Sequence, residues 1–286
     1  MFLVGGSQEF QDAREEFLGT GNYNNRQDIV RGLDRLRRCT EPEAIYVCSL
    51  HGDRAPKTVD EARTVFSEES QHPVDLCYLA LLEPGIAWSG LKQSADFGHP
   101  YACAIMSATS HDQKNEIAYA QRAATTGDRR GMYQLAACDA DASENDLLFR
   151  SASLGYAHAM YNYAFTRYGR SDLNRYMWLE KALVHGNDVT VTDVTAVIAS
   201  VLTFKTNATI QFACGRIIKR QGKKMKWTTK EEKDRAKVAV SIYTATYNRA
   251  RAATLTWLMC APRLGIYKDV ARLIGRLLIE ATISFL

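Results

Sequence analysis

A short cycle that occurs four times between Gln93 and Thr195 is the feature that most constrains the fold. Each copy places a basic or polar residue before a mostly small pair, with a glycine three positions after the pair. The copies are Gln93-Ser94-Ala95-x-x-Gly98, Arg122-Ala123-Ala124-x-x-Gly127, Arg150-Ser151-Ala152-x-x-Gly155 and Lys181-Ala182-Leu183-x-x-Gly186. A period of about 30 residues indicates one supersecondary unit stacked repeatedly.

The cycle predicts pairs of helices separated by a glycine stop. Small side chains let a neighbouring helix approach closely, and a glycine readily adopts the left-handed conformation that ends a helix. The positions four, eight and nine residues after each glycine return to one face of a following helix. Neither helix is long enough to be stable alone, so the units must stack.

These motifs resemble the signature of Sel-one-like repeats, short relatives of tetratricopeptide repeats. The resemblance is carried by Tyr176–Gly186, by Gly155-x-x-x-Ala159-x-x-x-Tyr163-Ala164 and by Tyr119–Gly127. It covers roughly residues 58–204, and Gln71-His72-Pro73 suggests a fifth, poorer repeat. It implies an all-α fold, an α/α solenoid of short helix-turn-helix repeats, acting as an adaptor or scaffold without catalysis.

The chain departs from that family at several places. The loop between helices is cut to about Tyr168–Asp172, and Gly131, Leu183 and Thr190 stand where the family prefers alanine. The repeats are therefore degenerate, and their boundaries vary by several residues.

The pattern divides the chain into four parts. Residues 1–25 are expected to be a flexible lead-in, 26–204 an acidic repeat solenoid, 205–227 a basic linker and 228–286 a C-terminal amphipathic helical hairpin. Within the linker region a helix is expected from Phe204 to Ile218. The hairpin's first helix begins at Thr228/Thr229 and ends at Ala261-Pro262.

The hairpin either caps the last repeat or docks on a partner. Its segments Thr256–Leu258 and Lys268–Ile274 resemble C-terminal segments of uncharacterised proteins of large DNA viruses. That resemblance implies a structural subunit of a larger assembly, such as a virion, with self-association through the hairpin.

Cysteine usage and hydropathy favour an intracellular protein, cytoplasmic or nuclear, with virion association as a variant. The seven cysteines form no Cys-x-x-Cys pair and are odd in number, as expected for buried thiols in a reducing compartment. No apolar run reaches about 18 residues, and the N-terminus lacks a signal-peptide pattern, so secretion is not expected.

Charge is divided unevenly along the chain. Residues 205–286 hold 17 Lys/Arg and 5 Asp/Glu, whereas the preceding part holds 19 and 27. The candidate basic patch consists of Arg216, Lys219, Arg220, Lys223, Lys224, Lys226 and Trp227. It is interpreted either as a solvated linker folded against the acidic part or as a site for nucleic acid or nuclear import. Binding of this basic segment to an anionic membrane surface is the least favoured interpretation.

No motif for chemistry emerges, so we predict neither an enzyme nor a cofactor or metal site. Phosphate-binding glycine loops are missing, and the six histidines never take zinc spacing. His72, His99 and His185 beside helix turns are interpreted as residues that cap a helix or face water, with a metal-binding row of turn histidines as the less favoured alternative. The candidate partner-binding side chains are Tyr101, Tyr133 and Tyr161, on the helices that follow the glycines. The leading hypothesis is thus a protein-interaction scaffold, with the virion subunit and the nucleic-acid-associated protein as alternatives.

Overall fold

The computed structural model describes residues 6–18, 26–52, 56, 58–66, 72–82, 88–139, 144–169, 172–186, 188–203, 208–225 and 227–260. Within these ranges every regular element is an α-helix, which confirms the predicted all-α class. Packing divides the chain into two compact units. Unit 1 comprises Met1–Arg167 with His185–Asp188, and unit 2 comprises Tyr168–Val184 with Val189–Leu286.

Unit 1 is built from short helices that pack against their neighbours in sequence. They are α1 Gln8–Phe17, α2 Arg26–Leu36, α3 Pro42–His51, α4 Val59–Arg63, α5 Pro73–Leu82, α6 Trp88–Asp96, α7 Pro100–Thr109, α8 Gln113–Thr125, α9 Arg129–Cys138, α10 Glu144–Ser153 and α11 Ala157–Arg167. We call α5, α7, α9 and α11 the A helices, since each follows a stop or its equivalent. Helices α7 and α9 also contact each other directly, and we refer to the four A helices together as the A layer.

The predicted glycine stops are confirmed at three repeats. Gly98, Gly127 and Gly155 have φ of +84°, +91° and +87°, the left-handed region that side chains with a Cβ rarely adopt. Two backbone bonds close each stop, as in His99 N–H to Ser94 C=O and Gly98 N–H to Ala95 C=O. The carbonyls of the small pair thus accept the bonds that end the helix, a Schellman motif.

Where the first residue of the small pair is serine, its hydroxyl also forms a hydrogen bond to the preceding helix. The Ser94 hydroxyl donates to the Pro73 carbonyl over 2.6 Å, and the Ser151 hydroxyl donates to the Arg129 carbonyl over 2.6 Å. Pro73 and Arg129 are the first residues of α5 and α9. Because the same bond joins equivalent places, α5 and α6 form the fifth helix pair that the His72-Pro73 pattern indicated.

Gly131, one of the departures from the family pattern, has a packing reason. A Cβ on this residue would lie 2.2 Å from the Ala123 Cβ, where α8 and α9 cross. The alanine that the family prefers is therefore excluded by close helix approach.

The expectation of a flexible lead-in over residues 1–25 is wrong for its central part. Residues 8–17 form helix α1, whose N-cap is Ser7, with the Phe10 amide donating to the serine hydroxyl over 3.2 Å. Phe10, Ala13 and Phe17 are fully buried. These three residues have helical spacing, a pattern that the neighbouring glycines and asparagines obscured in the sequence.

Unit 2 contains α12 Leu173–His185 and α13 Asp188–Thr203, apart from the terminal residues His185 and Asp188, together with α14 Ala208–Gln221 and α15 Lys230–Cys260. The expected linker over 205–227 is thus mostly helix α14, which buries Phe212 and Ile217 and packs along α15. The predicted start of α15 is also observed: the Glu232 amide donates to the Thr229 hydroxyl, and the Glu232 carboxylate accepts from the Thr229 amide. This reciprocal pair is a capping box.

The second helix of the predicted C-terminal hairpin lies outside the described residues. The same holds for most of the segments that resemble viral proteins, since residues 261–286 are beyond the described part. The hairpin therefore stays a prediction.

Candidate functional site

Helix α1 of unit 1 lies across the beginnings of other helices in that unit. Ser7 donates from its amide and hydroxyl to the carboxylate of Glu41, the N-cap of α3. Gln11 accepts the first helical amide of α9, with 3.0 Å between the Arg129 nitrogen and the Gln11 oxygen. The side chain of Gln8 lies against Gly155, at the stop before α11. A side chain of α1 thus caps a repeat helix from outside.

Arg14 is the centre of this arrangement, and its side chain is 0% exposed. Its guanidinium donates to Asp128 over 2.8 Å and lies 3.6 Å from the Glu43 carboxylate. The guanidinium also lies over the Tyr101 ring, 4.3 Å from its centroid. A buried charge needs such partners, because leaving it unpaired would cost several kcal/mol.

In a second set of ion pairs the signs are reversed, because α1 supplies the carboxylates and α9 supplies the arginines. The carboxylate of Glu15 on α1 accepts from Arg130 over 3.1 Å and lies 3.1 Å from Arg129. Arg129 also donates to Asp12 of α1. Burial raises the pKa of Glu15, but Arg130 and Arg129 outweigh it and lower that pKa to about 2. We call Glu43, Tyr101, Asp128, Arg129 and Arg130 together the α1 seat.

Two of the three turn histidines, His72 and His99, cap helices, which is one of the two roles that the sequence allowed. His99 is the N-cap of α7, and its Nδ1 accepts the Ala102 amide over 3.3 Å. An Nδ1 that accepts a hydrogen bond carries no proton, so the ring proton is on Nε2, which lies 3.3 Å from Glu43. His72 accepts the Val74 amide in the same way and stacks on Tyr46.

The three candidate partner-binding tyrosines take two different positions. Tyr101 is fully buried beneath Arg14 and Arg130, so its side chain offers no surface to a partner. It lies three residues after its glycine, the place that Arg130 takes in the next repeat and that faces α1. Tyr133 and Tyr161 lie six residues after theirs, and both are half-buried.

Tyr133 and Tyr161 belong to one partly exposed face of α9 and α11. Asn162 donates to the Tyr133 hydroxyl over 3.2 Å, and the Tyr161 ring lies 4.8 Å from that of Phe165. Phe165 is 37% exposed, although it is a large apolar side chain. We call Tyr133, Tyr161 and Phe165 the aromatic face.

The predicted basic patch is mostly engaged within unit 2. Arg216 and Arg220 pair with Glu180 of α12 at 3.0 and 3.1 Å. Lys224 Nζ lies 3.3 Å from the Leu183 and Val184 carbonyls at the end of α12, where a positive charge favours the helix dipole. Lys219 and Lys223 are exposed, Trp227 is half-buried, and Lys226 lies outside the described residues.

An open cleft lies between α6, α7 and α8 of unit 1, lined in part by Lys92, Asp96, Tyr119 and Arg122. Its polar groups are mutually satisfied, since Asp96 accepts from Lys92 over 2.7 Å and from Tyr119 over 2.8 Å. Among the described residues no group of His, Cys, Asp and Glu side chains is arranged to hold a metal ion. No helix in the described ranges is long and apolar enough to cross a bilayer.

The α1 seat was missed by the sequence analysis. Its signal was present as Ser7, the N-cap, followed by Phe10 and Phe17 on one helical face. What the sequence could not supply was the partner, because Asp128 and Arg129 are more than a hundred residues away.

Comparison with known proteins gives a structural similarity. No family model and no curated protein matches the chain, so the viral resemblance finds no support. Among solved structures, the crystal structure of a Sel1 repeat protein from Oxalobacter formigenes is 18% identical over 83% of this chain and 82% of that chain, with a TM-score of 0.37. The helical-repeat architecture rests on the chain's own helix pairs and stops.

Proposed function

We propose that this protein is a non-catalytic interaction scaffold that binds a protein partner through the aromatic face of unit 1. The observation that supports this is the row of half-exposed aromatic rings at equivalent places in two consecutive repeats. Tyr133 and Tyr161 each stand six residues after a stop glycine, so the repeat itself fixes their spacing.

Aromatic side chains on rigid helices suit partner binding for energetic reasons. Tyrosine and phenylalanine bring large apolar area with few rotatable bonds, and interfaces are enriched in such anchors. Asn162 donates to the Tyr133 hydroxyl and holds that half-buried ring in place. A partner would therefore bury Tyr161 and Phe165 without first having to order them.

The test replaces the two exposed rings and keeps the helix. We expect the double variant Tyr161→Ser with Phe165→Ser to lose at least about tenfold of partner recovery in affinity capture from a lysate of the source organism. The matched control is Trp88→Ser on α6, since Trp88 is 48% exposed but lies on a helix outside the A layer.

The control and the double variant are compared at equal helical circular dichroism signal. Equal recovery of the same partners by wild type, control and double variant would place binding elsewhere and reject the aromatic face.

A further inference from the structure

Helix α1 is unusually polar for an element that is so deeply buried. Seven of the ten residues in Gln8–Phe17 are charged or amide side chains. Four of its seven buried residues, namely Gln11, Arg14, Glu15 and Glu16, are polar. An element of a permanent core normally buries apolar side chains, whereas reversible interfaces combine a few aromatic anchors with arginine and hydrogen bonds.

Two adjacent residues of α1 carry opposite charges, and each one meets the opposite charge on the seat. Arg14 meets Asp128 and Glu43, whereas Glu15, the next residue, meets Arg129 and Arg130. A shift of one residue along α1 would bring like charges together. Such an alternating arrangement selects one ligand in one register.

Release of α1 would uncover charged and apolar surface together. On the seat it uncovers the charged side chains of Arg129, Arg130, Asp128 and Glu43 and the ring of Tyr101, and on α1 it uncovers Phe10, Ala13 and Phe17, which belong to the core of unit 1. In the docked state the Nε and one terminal nitrogen of Arg14 have no hydrogen-bond partner among the described residues. Docking thus leaves buried polar groups incompletely satisfied, which makes it weaker than its buried area suggests.

We propose that the α1 seat is a helix-binding site, that α1 occupies it as an internal ligand, and that a helix of a partner protein replaces α1 there. The partner helix has the pattern Phe-x-x-x-Arg-Glu-x-Phe, which Phe10, Arg14, Glu15 and Phe17 define. This inference rests on the proposed function and names the partner's chemistry. The aromatic face continues along the same helix, α9, so one partner reaches both surfaces.

The tether sets how strongly a partner must bind. A covalently attached α1 acts at an effective concentration of about millimolar, so an identical free helix competes poorly with it. A change that weakens only the attached copy should therefore expose the seat to a free one. Glu15→Arg does so, because it places a cation against Arg129 and Arg130.

The experiment measures binding of a fluorescent peptide of residues 6–18 to the full chain by anisotropy. We expect the peptide to bind the Glu15→Arg chain at least about tenfold more tightly than the wild-type chain. A peptide that itself carries Glu15→Arg should bind the same chain at least about tenfold more weakly. The matched control chain is Glu9→Arg, since Glu9 is on α1 but exposed, and it should behave as wild type.

Hydrogen exchange of the unmodified chain tests release without any variant. We expect amides of α1 to exchange at least about a hundredfold faster than those of α9, because α1 opens on its own. Equal protection of the two helices would overturn the proposal, as would a peptide that binds no chain. A wild-type chain that dimerises with concentration through α1 would overturn it in favour of exchange between copies.

These failures are separate from failure of the proposed function. If the peptide does not bind while the aromatic-face variant still loses partner recovery, only the α1 seat is rejected.

Discussion

Glu15 shows how a single side chain links the buried charges to pH. Its pKa in the folded protein is about 2, against an ordinary value of 4.5. The folded state therefore holds this carboxylate ionised, and its stabilising effect is fully present above pH 4.5. As pH falls from 4.5 towards 2, the unfolded chain takes up a proton first, and the stabilisation is lost.

We predict that unit 1 loses stability between pH 4.5 and pH 2, with a contribution from Glu15 of up to about 3 kcal/mol. Urea denaturation at pH 6 and pH 3 measures this. The Glu15→Gln variant should be less stable at pH 6 but should lose less on acidification. An acid response identical to that of wild type would show that Glu15 does not carry it.

For single residues, the sequence could predict only those roles that depend on neighbours close by in the chain. Capping was one of the two roles expected of His72 and His99 from their place beside a turn, since a cap needs only the next few amides. The burial of Tyr101 could not be predicted in the same way. It depends on Arg14 from a distant helix and on a place in the repeat that differs from that of Tyr133.

Among the elements of unit 2, α14 and α15 approach each other closely at Gly215. A Cβ on Gly215 would lie 2.1 Å from the Ala239 carbonyl oxygen, so the glycine lets the two backbones come together. Backbone atoms cannot turn aside as a long side chain can, so the helices themselves would have to separate.

We predict that Gly215→Ala destabilises unit 2 by about 1–3 kcal/mol, in spite of the better helix propensity of alanine. Thermal denaturation followed by circular dichroism provides the measurement. Gly169→Ala is the control, because a Cβ there meets nothing within 4 Å. Similar stability of both variants would mean that α14 and α15 are not held at this distance in solution.

Helix pairs were predictable because their signals are repeated within short windows. The residues of each signal lie close together in the sequence, namely the small pair, the glycine and the following apolar positions. The left-handed conformation of three of the glycines shows that this local signal ends a helix. Helix α14 was only half predicted, since Lys219, Lys223 and Lys224 indicated a solvated linker. Ile217 and Ile218 on its other face contribute to the core of unit 2 instead.

For the whole molecule, part of the positive charge surplus of residues 205–286 is engaged in ion pairs. Glu180 comes from the acidic part of the chain, and its one carboxylate pairs with both Arg216 and Arg220. The interpretation of a basic segment folded against acidic residues therefore has direct contacts, whereas the nucleic-acid interpretation keeps Lys219 and Lys223 as exposed charges.

We predict that Lys219 and Lys223 contribute about two phosphate contacts to any binding of duplex DNA, so that Lys219→Ala with Lys223→Ala makes the slope of log affinity against log salt shallower by about 2. Titration of a random-sequence duplex with both chains at several salt concentrations measures the change. A steep slope that survives the double variant would restore the nucleic-acid hypothesis.

The contact between Arg14 and Asp128 has a consequence for synthesis. The two residues are 114 positions apart, so the ribosome makes α1 first and its seat much later. Loop closure over that span is slow compared with helix formation, so the ion pairs between α1 and α9 form late. Until α9 emerges, Arg14 and Glu15 lack Asp128, Arg129 and Arg130, although Phe17 can already pack on His51 and Tyr78.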